Sequence, residues 1–461
     1  MRRQLLLGLA FFVAPLAAQT STYAVFTPLA PVVQPPDREG ALMAHDPVRG
    51  RTLLAGGRLA GGNQAQDTWE FDGATWQQRV PTTQLNWNRP TRLVYAPQRS
   101  QILAVSGEDV NGGTPMRIHA WTGSNWALVN STGPLSRAQN FAVAWDSQRG
   151  VLVMFGSAFG AETWEWNGTS WAQRGTGGPV PRGEHRMTYD AARQVVVLYG
   201  GISLQNQQLN DTWEWNGVYW LERFGIASPT VQARGALDYD STRQRVVLHG
   251  GYTVNGGETG AVYEFDGSGW LLRQAPSGPS SVHSHCMAYD AATARFVVFG
   301  GLTSGILQRS RALSFVTGYV ADSAPHGAGC AGPNGVPSLL PVGSSRPVLG
   351  TTFQTRFGNL PNSPLALVFA TIGFQDQAWN GQPLPFDLSA LGLVGCSLRI
   401  DPVTTVVLSN SGGSADWGIA VPASTGLDGQ PFFVQGAVLA PGWNPAGAVL
   451  SDSRRGVLGV L

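Results

Sequence analysis

The sequence predicts an all-β protein, a six-bladed β-propeller followed by a C-terminal β-sandwich. Three observations carry this. A three-part phrase recurs six times at a spacing of 44 to 50 residues, within the range of propeller blades. The composition, with 59 Gly, 16 Trp and only 13% charged residues, suits short strands and tight turns rather than helices. Near residue 323 the phrase stops and is replaced by alternating apolar strands broken by Pro, Gly and Asn.

Taken in order, residues 1–19 read as an export signal, with Arg2 and Arg3 before an apolar core at 5–13 and small residues at Ala17-Ala18. The apolar run is too short to span a bilayer, and no later stretch resembles a transmembrane helix. The expected location is therefore secreted, periplasmic or cell-surface. The formal net charge is +1 and all 30 basic residues are Arg, a balance that calls for neither nucleic acid nor an anionic membrane.

Residues 20–322 hold the repeats. Each begins with an apolar strand ending in an aromatic–Asp or similar pair, as in His45-Asp46, Trp145-Asp146, Tyr189-Asp190, Tyr239-Asp240 and Tyr289-Asp290. A second apolar strand follows and closes on a small doublet: Gly56-Gly57, Ser106-Gly107, Gly156-Ser157, Gly200-Gly201, Gly250-Gly251 and Gly300-Gly301. The third and fourth strands flank a turn followed by an aromatic residue. In Asp211-Thr212-Trp213-Glu214-Trp215-Asn216-Gly217-Val218-Tyr219-Trp220, Asn-Gly predicts a two-residue type I′ hairpin. A lone four-stranded blade cannot bury both faces, so the periodic Trp76, Trp171, Trp220 and Trp270 are expected to fill the wedges between radially packed sheets. Two ways of closing the ring stay open. Residues 20–26 complete the sixth blade beside 313–315, which we favour, or residues 319–321 do so.

These landmarks resemble the Kelch repeat family. The match lies in Arg182…His185, in the Gly-Gly doublets, and in an aromatic residue followed about six positions later by Trp; the second and third copies depart from it at Ser106 and Ser157. The resemblance implies a propeller whose first strands line a central channel and whose fourth strands are outermost.

Residues 323–461 predict the sandwich. Of three cysteines, Cys330 and Cys396 lie here and Cys286 sits inside an apolar repeat strand. In an oxidising compartment Cys330 is expected to pair with Cys396, leaving Cys286 a buried thiol. Gly329-Cys330-Ala331-Gly332 and Gly392-Leu393-Val394-Gly395-Cys396 resemble a C-terminal module attached to diverse secreted bacterial proteins, whose cysteine positions agree with that pairing.

The candidate site is the channel mouth. Arg38, Arg89, Arg137, Arg182 and Arg234 open successive first strands, with His283 and His285 in the sixth copy and Glu184-His185-Arg186 in the fourth. Converging guanidiniums would hold a carboxylate or sulfate. The competing role for these arginines is structural, through Glu70, Glu165, Glu214 or Glu264, and His185 and His285 equally fit a hydrogen-bonded framework. No zinc-like or calcium-binding spacing, P-loop, dinucleotide fingerprint or nucleophile elbow is present, and no metal or cofactor is expected. A copper oxidase of the galactose-oxidase type is rejected for want of its ligand set. Trp87, Trp121 and Trp379 are candidates for stacking on sugar rings. The expected role is non-catalytic binding of a protein or glycan through the loops after the Gly doublets, such as 58–66 and 202–209. The rival is a Kelch-type carbohydrate enzyme, mutarotase-like, using Arg182, Glu184 and His185 or His285.

Overall fold

The computed structural model describes residues 22–461 except 30, 88–90, 108–114, 135–140, 158–159, 176, 254–256, 274–280, 304–305, 308–312, 320, 364, 425–426 and 460–461. The export signal expected at 1–19, together with Arg89 and Arg137, lies outside the described residues. Apart from two single 3-10 turns, Pro97–Arg99 and Ser389–Leu391, every regular element is a strand, so the fold is all-β. The chain divides into two compact units, Tyr23–Thr317 and one whose main part is Gly318–Leu461.

In the first unit, six sheets follow one another along the chain, four of them four-stranded; the fourth and fifth gain a fifth short strand, Arg182–Gly183 and Val231–Ala233. Their first strands are Leu42–Asp46, Thr91–Ala96, Ala142–Asp146, Arg186–Asp190, Ala236–Asp240 and Cys286–Asp290. Each first strand packs beside the first strands of its two neighbours, and the sixth packs against the first. The fourth strand of the sixth sheet is Thr22–Pro28, hydrogen-bonded beside Leu313–Tyr319, which is the closure favoured above.

The tryptophans after the turns pack towards the preceding sheet. Trp126, Trp220 and Trp270 donate their indole N–H to Thr68, Thr163 and Thr212, which hold matching places in the preceding third strands. Trp171 donates to Asn130 of the second sheet, and Trp76 meets Phe299 of the sixth edge-on at 5.5 Å between centroids. Large planar side chains thus pack between neighbouring sheets, and in all but Trp76 of these five the indole N–H keeps a partner.

The turn itself differs from expectation. Trp215 pairs directly with Trp220, so the loop has four residues rather than two. Only Gly217 within it has positive φ, +92°. The reason is local: Asn216 Oδ1 accepts from the backbone N–H groups of Val218 and Tyr219, at 2.9 and 3.0 Å, which supplies the turn's hydrogen bonds from a side chain. Asp72, Asn167 and Asp266 do the same in their own sheets.

The Gly doublets have a steric cause. At Gly201 (φ +112°) an added Cβ would lie 2.7 Å from the Gly183 carbonyl oxygen, and at Gly251 (φ +113°) 2.7 Å from that of Ala233. The segment entering the first strand passes too close for any side chain.

The second unit contains a six-stranded sheet, which includes Val368–Gly373, Pro431–Leu439 and Ser453–Val457, and a three-stranded sheet of Ser338–Pro341, Thr352–Gly358 and Ala415–Ala420. Both contribute to one apolar cluster, with Phe353 and Phe357 from the smaller and Val368, Phe432 and Val438 from the larger. Cys330 and Cys396 form a disulfide in this unit, and Cys286 is a buried free thiol in the other.

Candidate binding site

Each sheet of the first unit except the second and sixth carries the same ion-pair frame among the described residues. The third-strand glutamate is 2% exposed in all four: Glu70, Glu165, Glu214 and Glu264. Glu165 takes Arg149 at 2.7 Å from the turn between the first two strands, Arg174 at 2.8 Å from the fourth strand, and the Trp215 indole N–H at 2.9 Å from the next sheet. Glu70 repeats this with Arg49, Arg79 and Trp121. Glu214 is held by Arg193 and Arg223, and Glu264 by Arg243 and Arg273. Burial alone would push the Glu70 carboxyl up; the hydrogen bonds from Arg49, Trp121 and Arg79 overcome this and hold it below the ordinary carboxylate range. These glutamates therefore have partners other than the arginines that open the first strands.

Arg38 and Arg182 are fully buried and turn away from the centre. Arg182 binds both carboxylate oxygens of Asp211, at 2.5 and 2.7 Å, and the Gly200 carbonyl at 3.0 Å. Arg38 does the same with Asp67, at 2.6 and 2.9 Å, and with the Gly56 carbonyl at 2.9 Å. In both cases the aspartate lies 29 residues downstream, two before a tryptophan whose indole it also accepts. That spacing, visible in the sequence as Asp67-x-Trp69 and Asp211-x-Trp213, was the missed signal.

The centre of the six first strands holds a polar cavity of about 470 Å³, lined from all six sheets. Of the expected residues, Glu184, Arg234 and His285 reach it, whereas Arg38, Arg182, His185 and His283 do not line it. Glu184 and Arg234 have left-handed backbones (φ +58° each), as does Ser284 (φ +56°). All three stand two residues before the first strand of their sheet and are joined in series, for Ser284 N–H donates to the Arg234 carbonyl at 2.9 Å and Gly40 N–H to that of Ser284 at 2.7 Å. Arg234 forms a two-pronged pair with Glu184 at 2.6 and 2.9 Å. Arg58 and Glu39, also at the cavity, approach to 3.6 Å.

Two further arginines line the cavity: Arg92, which was not anticipated, and Arg186, expected only as a neighbour of Glu184 and His185. Arg92 donates to the Thr91 carbonyl at 2.8 Å, and its guanidinium lies 5.4 Å from the Phe141 ring centroid. Arg186 donates to the Gly235 carbonyl at 2.8 Å. Among the described residues neither has a carboxylate within ion-pair distance. Burial, reinforced by Arg186 and opposed by Glu184, brings the Arg92 guanidinium down to about 9. Burial likewise lowers Arg186, with Glu184 opposing and Arg234 adding to it.

The cavity is also lined by Met43, Leu93, Val143, Met187, Leu237 and Met287, one from each first strand. A second cavity, of about 330 Å³, shares these six residues and takes in those that follow them along the strands, including Tyr95, Tyr189, Tyr239 and Tyr289.

The imidazoles are sealed into the framework. His285 is 4% exposed, and its Nε2 lies 3.0 Å from Nδ1 of the fully buried His249. Burial holds His249 down at about 3; burial, His249 and Arg186 hold His285 well below its ordinary value. His185 is likewise depressed, by burial first and then by Arg182, Arg92 and Arg186. His283 meets Tyr252 at 3.0 Å and Glu258 at 3.3 Å. Trp87 and Trp121, expected on the surface, are 6% and 2% exposed and belong to the core between the first two sheets; only Trp379 is partly exposed. Among the described residues no group of three His, Cys, Asp or Glu side chains is placed to hold a metal ion, and no helix is long and apolar enough to cross a membrane.

No protein-family model matches the chain, and no curated protein does. Solved structures similar to it include the SapL1 lectin in complex with α-methyl fucoside, at 13% identity over 61% of this chain and 99% of that one, with a TM-score of 0.42. The six-bladed fungal lectin of Aleuria aurantia matches at 13% identity over 63% and 91%, TM-score 0.38. An auxiliary nutrient binding protein from Bacteroides thetaiotaomicron matches at 9% identity over 64% and 77%, TM-score 0.42. Likenesses of this size carry no argument about ligand.

Proposed function

We propose that this is an exported, non-catalytic binding protein. Its first unit is a six-bladed Kelch-type propeller, its second a β-sandwich module, and its recognition surface is the central cavity with the loops around its mouth. The partner is a protein or a glycan. The disulfide and the absence, among the described residues, of a membrane-crossing helix fit an extracellular location.

The observation that carries the reading is a polar cavity in whose described lining both carboxylates lie beside arginines and the imidazole of His285 is buried and held well below its ordinary basicity. General acid–base chemistry needs a group with a free lone pair and a suitable pKa facing the substrate. Glu184 is bound twice by Arg234, and His285 is buried and bonded to His249. The cavity offers fixed donors and cations instead, which suits holding a ligand rather than turning it over. The mutarotase-like alternative would have to free Glu184 from Arg234 or work through His285, whose burial and lowered basicity count against it.

A glycan and extracellular-protein array probed with the full chain, run beside a mutarotation assay on a panel of sugars, tests this. Binding without turnover is expected; turnover that depends on Glu184 or His285 would overturn it.

A further inference from the structure

We infer that the central cavity binds a carboxylate carried on an apolar stem, held by Arg92 and Arg186, an inference that rests on the binding reading above and names its ligand. The argument begins with register. In the six sheets, the residues paired with the end of the second strand are Leu42 (with Ala55), Arg92 (Val105), Ala142 (Phe155), Arg186 (Tyr199), Ala236 (His249) and Cys286 (Phe299). They occupy one repeat position. Four of the six are small or apolar, so the fold does not require arginine there.

Charge gives the second step. The described cavity lining contains four guanidiniums and two carboxylates. Arg234 is neutralised by Glu184, and Arg58 lies beside Glu39. Arg92 and Arg186 meet carbonyl oxygens and an aromatic face instead. Both guanidiniums are half-buried, and a charge drawn partly out of water without an ion-pair partner is unfavourable. Such a pair, at positions where alanine suffices in two sister sheets, is poised for an anion from outside. Two planar guanidiniums match the paired oxygens of a carboxylate better than a point charge would.

The apolar lining supplies the third step. Immediately beyond Arg92 and Arg186 in the chain come Leu93 and Met187, members of the apolar set of six that lines both cavities. The described lining contains no Trp, Tyr or Phe to stack on a sugar ring. A ligand that satisfies both surfaces is amphiphilic, with an anionic head and an aliphatic body.

The test uses the full chain and calorimetric titration in a buffer free of small carboxylates, with hexanoate, acetate, hexanol, sulfate and a peptide carrying one internal glutamate. Hexanoate is expected to bind saturably, more tightly than acetate or sulfate, with hexanol inert. Arg92→Ala and Arg186→Ala should each weaken it about tenfold or more, and the double variant should abolish it. Because alanine already stands at this position in the third and fifth sheets, the variants should keep cooperative unfolding, checked by circular dichroism. If the peptide binds with the same dependence on both arginines and hexanoate does not, the site stands and its anion is a side chain. Hexanoate or peptide binding that survives in the double variant, or the absence of binding by either, overturns the inference. A partner found on the array whose binding ignores both substitutions would leave the binding reading intact while removing this one.

Discussion

Arginine is used in two ways in the first unit, and the contrast separates what builds the protein from what it presents. In four of the sheets, guanidiniums recur in step with the repeat and reach a carboxylate, as Arg149 and Arg174 reach Glu165, and Arg38 and Arg182 reach their aspartates; Arg99, at the matching place in the second sheet, lies over the Trp166 ring instead. At the central cavity, Arg92 and Arg186 break the repeat and reach only carbonyls. A charge that repeats with the fold and is satisfied by it is scaffold. One that departs from the repeat and lacks a counter-charge is held for something else.

The frame is where that contrast breaks most visibly. Glu165→Ala leaves Arg149 and Arg174 without their carboxylate and the Trp215 indole without an acceptor. It should destabilise by about 3 kcal/mol, the lower end for a broken buried pair because both arginines are partly exposed. Urea titration measures this, and a loss below about 1 kcal/mol would make the pairs surface-like.

The buried imidazoles give a pH signature of the same sealed framework. His249 is lowered to about 3 by burial, so the folded state excludes a proton that the unfolded chain binds near 6.5. Its contribution to stability is present above 6.5 and is lost as pH falls from 6.5 towards 3. Between pH 7 and 5 the loss should be about 2 kcal/mol from this residue alone, with His185 and His285 adding in the same direction. Denaturation midpoints that stay flat over this range would show the imidazoles reached by water. His249→Leu should reduce the slope.

The smallest effect sharpens the wedge. Trp220→Phe keeps most of the apolar filling and removes the 2.8 Å bond to Thr163, leaving its hydroxyl unmet. The expected cost is about 1–2 kcal/mol. Adding Thr163→Val should recover part of it, whereas strictly additive losses would deny the coupling.

Much of this was legible from residues alone, and the failures are instructive. The strand phrases, the Gly doublets and the periodic tryptophans report local sterics and burial, which sequence states directly. So did the pairing of Cys330 with Cys396, and the N-terminal strand beside Leu313–Tyr319. The hairpin at Asn216-Gly217 was misjudged because the asparagine's side-chain oxygen, not a second positive φ, shapes the loop. The direction of Arg38 and Arg182 was hidden because a side chain's partner 29 residues away is a tertiary fact, although the shared Asp-x-Trp spacing pointed to it. Arg92 was overlooked, and Arg186 was read only as a neighbour of Glu184 and His185, because the repeat drew attention to residues that agree between copies, and a ligand site is built from those that differ.

The most direct test compares equilibrium unfolding of Arg38→Ala and Arg182→Ala with that of Arg92→Ala and Arg186→Ala, in one buffer without added anions. The account predicts losses of about 3 kcal/mol or more for the first two and unchanged or increased stability for the second two. Equal losses in all four would contradict it, since Arg92 and Arg186 would then be scaffold as well.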